Sequence, residues 1–199
     1  MPPKPQFSKD QIVDAAFEIA RAEGIDSVTT RKVAQKLGSS IAPIYVNFND
    51  IEELKRAVVH KAFAISQQML MEQSSEEPFL DIGLASLRFA KEYSVLFRDL
   101  IMKNNQYMQD YEPVLINVLE YMNQDPMLAG LTDEDLKNIL FVMRVFTTGL
   151  SVMVANGLLP ESFDDTQQKE ILESVGTDIV TAARLRREGA QQRRRPPAP

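Results

Sequence analysis

The chain has 199 residues, of which 44% are hydrophobic and 25% charged, with a formal net charge of −6 at pH 7. That is enough chain for one good core or for two small domains sharing a helix. Cysteine is absent, which excludes disulfides, iron–sulfur clusters, thiolate metal sites and thiol redox sensing within this chain. The acidity is uneven: residues 1–61 carry nine Lys or Arg against eight Asp or Glu, residues 62–183 seven against nineteen, and residues 184–199 six against one. The first sixty residues therefore stay compatible with nucleic acid, although any positive charge there must be local. The run from Met1 to Asp10 has no apolar signal core, so a cytoplasmic protein is expected.

The first helix signal is Phe7-Ser8-Lys9-Asp10-Gln11-Ile12. It combines a capping box (Ser8 with Gln11) and a hydrophobic staple (Phe7 with Ile12), and Ile12, Ala16, Ile19 and Ala20 follow at helical spacing up to Gly24. Residues 29–48, TTRKVAQKLGSSIAPIYVNF, then read as two short helices about a tight turn. Thr29 caps the first, Val33, Ala34 and Leu37 form its inner face, and Gly38 ends it in the left-handed conformation. Ser40 is the expected N-cap of the second, with Pro43 in the first turn, where a missing N–H costs nothing. Ile44 and Phe48 point inward one turn apart, leaving Ile41, Ala42, Pro43, Tyr45, Val46 and Asn47 to the flank and outer face. Such a unit is either an ordinary helical hairpin or a helix-turn-helix DNA reader. The capped helix before it makes a compact three-helix carrier and favours the reader.

These residues resemble the tetracycline-repressor (TetR) family of one-component bacterial regulators. The resemblance spans residues 8–54 and rests on Ile12 to Gly24 with its Ala15-Ala16 pair, Thr29-Thr30-Arg31-Lys32-Val33-Ala34, Gly38 with Ser40, Ile44-Tyr45 with Phe48, and Glu52-Glu53-Leu54. Two departures stand out. Ile51 occupies the place of a Lys that in many relatives contacts phosphate, and the second helix has no Arg, Lys or Gln, the side chains that most often read guanine or adenine edges. The DNA-binding candidates are therefore Thr29, Arg31, Ser39, Ser40, Ile41, Ala42, Pro43, Tyr45, Asn47 and Lys55. Ile41, Ala42 and Pro43 are placed to touch thymine methyls, and Arg31 is expected to contact either a base or a phosphate. Lys32, Lys36, Lys55, Arg56 and Lys61 are the phosphate candidates, although each such residue is more often simply a solvated surface residue.

Downstream, Asp50 with Glu53 predicts a capped fourth helix running to about Gln73. Helical patterns follow over residues 79–86, 86–107 and 112–123. Thr132 with Asp135 opens a long helix whose stretch from Ile139 to Leu159 is almost wholly apolar. It is long enough to span a bilayer, but Arg144, Gly149, Asn156 and the polar run before it predict a fully buried helix, with no membrane partner. A last amphipathic helix over residues 166–187 places Ile171, Leu172, Val175 and Ile179 on one stripe. The expected architecture is all-α. Residues 6–66 form a DNA-binding domain with its helix-turn-helix at 29–48, residues 67–187 form an effector-binding and dimerisation domain, and residues 188–199 form a disordered basic tail.

The resemblance implies that the last two helices build a homodimer interface and that the second domain holds a pocket for a small-molecule effector of unknown identity. Lining candidates are Phe89, Tyr93, Phe97, Met102, Tyr107, Phe141 and Arg144, with Met108, Met122, Met143, Phe146 and Met153 beside them. Plain core packing is the competing reading of each apolar one. The resemblance also implies a homodimeric repressor that binds a palindromic double-stranded operator and is released by its effector. An activator, or an interaction module without sequence-specific DNA binding, is the alternative. Catalysis has no support: His60 is the single histidine, it lies among Lys55, Arg56 and Lys61, and no Gly-rich phosphate loop is present. No enzyme activity, catalytic residue, metal or cofactor is expected.

Overall fold

The computed structural model describes residues 7–73, 75–104, 106–107 and 118–194, with side chains described as far as Gly189. Among the described residues every regular element is helical: α1 (Lys9–Glu23), α2 (Thr30–Leu37), α3 (Ala42–Asn47), α4 (Ile51–Gln73), α5 (Pro78–Glu92), α6 (Ser94–Phe97), α7 (Asp133–Ala155) and α8 (Asp165–Arg194). The chain divides into two compact units, residues 1–69 with 89–112 and residues 70–88 with 113–199. The first cut lies close to the boundary expected at residue 66. Residues 89–112, expected in the second domain, belong instead with the first unit.

Unit 1 begins as the sequence implies. Ser8 Oγ accepts from Gln11 N and Gln11 Oε1 from Ser8 N, closing the capping box of α1, and Ile12, Ala16, Phe17, Ile19 and Ala20 are buried. Residues from after α5 then complete this core. α6 packs on α1, and Leu96, Phe97 and Leu100 are buried. The Tyr93 ring stacks with Phe89 at 5.3 Å and meets Phe17 at 5.9 Å, while the Arg21 guanidinium lies 4.9 Å above it.

The tightest point is the turn after α1. Asp99 leaves a single π-helical turn (Arg98–Met102), and its Oδ2 accepts from the buried Ile25 N at 2.9 Å. Lys103 Nζ holds the other carboxylate oxygen at 2.5 Å. Gly24 has φ +92°, and a Cβ there would collide with Asp99 Oδ2. Only glycine serves at that position, for backbone and for space.

Unit 2 is built on α5, α7 and α8 around Phe79, Leu80, Leu87, Met122, Leu128, Leu136, Ile139, Leu140, Met143, Leu150, Leu172 and Val180. Two buried aspartates tie its connections. Asp125 accepts from Phe79 N at 2.9 Å and Met127 N at 2.8 Å, and so caps both α5 and the turn Pro126–Leu128. Asp81 accepts from Ser75 Oγ at 2.7 Å and Tyr121 Oη at 3.1 Å, which fastens the helical residues 118–122 to α5. α7 starts on the expected Thr132–Asp135 capping box, and Gly157 follows its end at φ +63°.

Several expectations change. The break placed at Ser86 is absent: α5 runs on to Glu92 because the Ser86 hydroxyl donates back to Ile82 O at 2.8 Å inside the helix. α7 is long and apolar enough to cross a membrane by composition, but it is not fully buried. Leu136, Ile139, Leu140, Met143, Thr147, Leu150 and Ser151 face the core, while Phe141, Val142, Val145 and Met153 face out. α8 extends to Arg194, so residues 188–194 of the expected tail are helical, and residues 195–199 lie outside the described residues. Of the helix expected over residues 112–123, only the part from 118 is described.

Gly24→Ala should cost roughly 1–3 kcal/mol of stability in urea unfolding, from strain at positive φ plus the clash with Asp99. Gly38 at φ +64° has open space where a Cβ would go, so Gly38→Asn should cost less than about 1 kcal/mol in the same measurement.

Candidate nucleic-acid interface

The reading unit is held from beneath. Thr29 Oγ1 accepts from Lys32 N at 3.3 Å to start α2, and Gly38, in the left-handed region at ψ 33°, ends it with Ser39 N returning to Ala34 O at 3.0 Å. The start of α3 lies one residue later than the sequence suggested. Ile41 takes the N-cap position, and the Ser40 hydroxyl accepts from Ala42 N at a long 3.4 Å. Ser39 Oγ donates to Ser40 O at 3.0 Å, so both serines are engaged in the turn itself. Pro43 sits in the first turn as expected, and Ile44 and Phe48 anchor the helix at 1% and 2% exposure.

What α3 turns outward is apolar. Ile41 is exposed, Tyr45 is 55% exposed and Val46 72%. Val46 was not among the candidate readers, yet it is the most exposed large apolar side chain of the helix. Its position next to Tyr45, on the side away from Ile44 and Phe48, was the available signal. Asn47 is half-buried and donates Nδ2–H to Pro43 O at 2.8 Å, so its amide is tied to its own helix. Thr29 and Ala42 are exposed, and Arg31 is exposed with no ion pair among the described residues.

The surrounding cations divide by their partners. Lys32 pairs with Glu23 at 2.5 Å, Lys61 pairs with Asp14 and lies 5.2 Å from the Phe17 ring, and Lys55 pairs with Glu52 at 2.9 Å. Lys55 is only 14% exposed, which turns it inward and works against its expected contact with phosphate. Lys36 and Arg56 join Arg31 as exposed cations without an ion pair among the described residues. α4 opens on Asp50, whose Oδ1 accepts from Glu53 N at 2.7 Å, while Glu53 accepts from Asn49 N and from Lys9 Nζ.

Glu52 gathers the cluster around α4. Its carboxylate accepts from Lys55 Nζ at 2.9 Å, Tyr107 Oη at 2.8 Å and Gln106 Nε2 at 2.8 Å. The Lys55 hydrogen bond, with help from Tyr107, holds Glu52 below the usual carboxylate range, while burial pushes the Tyr107 hydroxyl up.

The expected effector-lining set does not come together. Phe89, Tyr93, Phe97 and Tyr107 are structural members of unit 1, and Met102 is exposed there. Phe141 and Arg144 stand on the outward side of α7 in unit 2. Unit 2 does hold a cavity of about 230 Å³, and of the described candidates only Met143 lines it, while Met108 lies outside the described residues. Long-range packing, which sequence spacing does not encode, assigned the aromatic residues elsewhere.

Residues 12–58, which contain this entire reading unit, match the family model of bacterial regulatory proteins, tetR family. Over these residues the chain is similar to the tetR family. The chain is 26% identical over 154 residues to the HTH-type transcriptional repressor DrrR1 of Streptomyces coeruleorubidus. The alignment covers 74% of this chain and 53% of that protein, so the chain spans about half the length of the curated relative it matches. Its fold is that of a TetR transcriptional regulator from Streptomyces coelicolor, with a TM-score of 0.63 at 16% identity over 89% of this chain and 97% of that one. It is also that of BioQ, solved with its natural double-stranded DNA operator, with a TM-score of 0.52 at 19% identity over 89% and 99%.

Within this tetR-family module, Glu52 is a pH-dependent fastening. Its folded pKa lies below its ordinary 4.5, so it adds stability above that value and the contribution fades as pH falls through the folded pKa. Glu52→Gln should therefore flatten the acid side of the stability–pH curve while leaving fluorescence-detected unfolding cooperative.

Proposed function

We propose that this protein is a homodimeric transcriptional repressor that binds a palindromic operator through α3 and is released by a small-molecule effector bound in unit 2. The observation that carries the reading is the outward face of α3, where Tyr45 and Val46 stand exposed on a helix anchored by Ile44 and Phe48 in a tetR-family module. A large exposed apolar side chain on a short helix has no folding reason to be there, and a major groove lined with thymine methyls supplies one. Arg31, with Lys36 and Arg56, provides the phosphate contacts that fix register. Thr29, Ser39, Ser40, Ile41, Ala42, Pro43 and Asn47 shape the surface that approaches the groove. Ser39, Ser40 and Asn47 do so chiefly by holding the turn and helix. The work takes place in the cytoplasm.

Dimerisation is supported by the outer faces of the last two helices. Phe141 and Val145, 67% and 62% exposed, lie one turn apart on α7, and Ile171 and Leu185, two heptads apart, mark a matching stripe on α8. Two copies joined through these faces make a four-helix seam and present two reading heads for half-sites about 34–36 Å apart.

Selection of binding sites from random DNA at several salt concentrations is the direct test. An enriched palindrome is expected, with a shallow salt slope of about two or three released counterions per head, given the few unpaired cations. Recovery of no enriched palindrome would favour the interaction module that lacks sequence-specific binding. Tyr45→Ala with Val46→Ala should weaken the selected site by about tenfold or more and leave nonspecific binding nearly unchanged, as loss of apolar base contacts implies. Phe141→Glu with Val145→Glu should convert the dimer to monomer in sedimentation and abolish high-affinity operator binding without altering helix content.

A further inference from the structure

The cavity in unit 2 has a chemical bias that the likeness of residues 12–58 to the tetR family does not set. Its apolar wall is supplied by Phe79, Leu80, Met127, Met143 and Leu172. Gly83 and Gly176 also face it. A Cβ on Gly83 would press on Leu172 at 3.2 Å and one on Gly176 on Phe79 at 3.3 Å, so the wall is already close-packed and the space is not slack in the packing.

The charged part of the lining has one sign: exposed Glu77 and Glu173 and buried Asp125 contribute carboxyl groups, and no Lys or Arg lines the space. Asp125 is buried, and both its recorded partners, Phe79 N and Met127 N, are neutral donors. Cations do stand nearby: Lys169 pairs with Glu173 at 3.4 Å, and Arg184 donates to Met127 O at 2.9 Å. Set against three carboxyl groups, they still leave an acid excess. An anion would be repelled here, and a neutral ligand would leave the buried Asp125 carboxylate without a counter-charge. A cation on a compact apolar body satisfies both parts of the wall: the acids meet its charge, and the aromatic face and the apolar side chains take its body.

We propose that this cavity binds a small organic cation, a protonated amine or quaternary ammonium on a compact apolar body. The assignment rests on the reading of unit 2 as the effector-binding unit and names the chemical class of that effector.

Three ring compounds of similar shape test it: cyclohexylammonium, cyclohexanol and cyclohexanecarboxylate. Each is titrated into the full chain carrying 13C-methyl methionine, with the Met127 and Met143 methyl resonances as the readout. The cation should shift both saturably, with a dissociation constant about tenfold below that of the alcohol, and the carboxylate should not shift them. Glu77→Gln with Glu173→Gln should weaken the cation about fivefold per carboxylate lost, as the attraction of unit charges a few ångströms apart in water implies. Thr177→Arg, at an exposed lining position, should abolish its binding without changing Tm.

Equal affinity for the alcohol, preference for the carboxylate, no saturable shift with the cation, or unchanged affinity in the Gln variants would each overturn the proposal. Operator binding is measured on the same samples without ligand. Intact operator binding with no cation response removes the cation site alone. A cation response without any operator removes the repressor reading and leaves the cation site standing.

Discussion

One buried carboxylate sets the geometry of the reading head. Asp99 receives the N–H of Ile25 at the turn that leads from α1 into the helix-turn-helix, and it does so against a residue that must be glycine. A buried N–H left without an acceptor costs on the order of 1–3 kcal/mol, a large share of the stability of a small domain. The turn that leads from α1 towards α2 is therefore fastened by a residue seventy-four positions downstream. The ring cluster of Phe17, Phe89 and Tyr93, and the gathering of Lys55, Gln106 and Tyr107 on Glu52, repeat that arrangement at two further points of unit 1.

The face that this scaffold presents is weak in charge and rich in apolar surface. Three of the five lysines and arginines offered by the sequence for phosphate are paired within the unit, so the positive surface reduces to Arg31 and two neighbours in type. Asn47, the one amide on α3, is tied to Pro43 O. Under the proposed function, discrimination among bases by such a helix would rest on shape and methyl contact more than on bidentate hydrogen bonds.

Much of this was legible in the sequence because it is local. Capping at Ser8, Thr29 and Thr132, termination at Gly38 and Gly157, and the inward pair Ile44 and Phe48 are settled by residues within one or two turns of each other. Ser86 misled because a serine hydroxyl satisfies itself inside a helix as readily as it ends one. α7 misled because uniform apolarity does not say how much of a helix its own chain covers. The aromatic and methionine set of residues 89–107 gave no sign of which core it joins. That depends on contacts such as Phe17 with Tyr93, made between residues far apart in the chain. The cavity was equally hidden, since Glu77, Asp125 and Glu173 come from three separate segments.

The discontinuity of unit 1 also bears on how such proteins diversify. Unit 1 is not coterminous with the stretch that matches the family model, because its core is finished by Phe89, Tyr93, Leu96, Phe97 and Leu100. A genetic exchange that swapped only the first seventy residues for those of a relative would import a head without its own Asp99, Tyr93 and Tyr107. The inherited block is therefore split in the gene, and successful recombinants must either carry both pieces or evolve the second to suit the first.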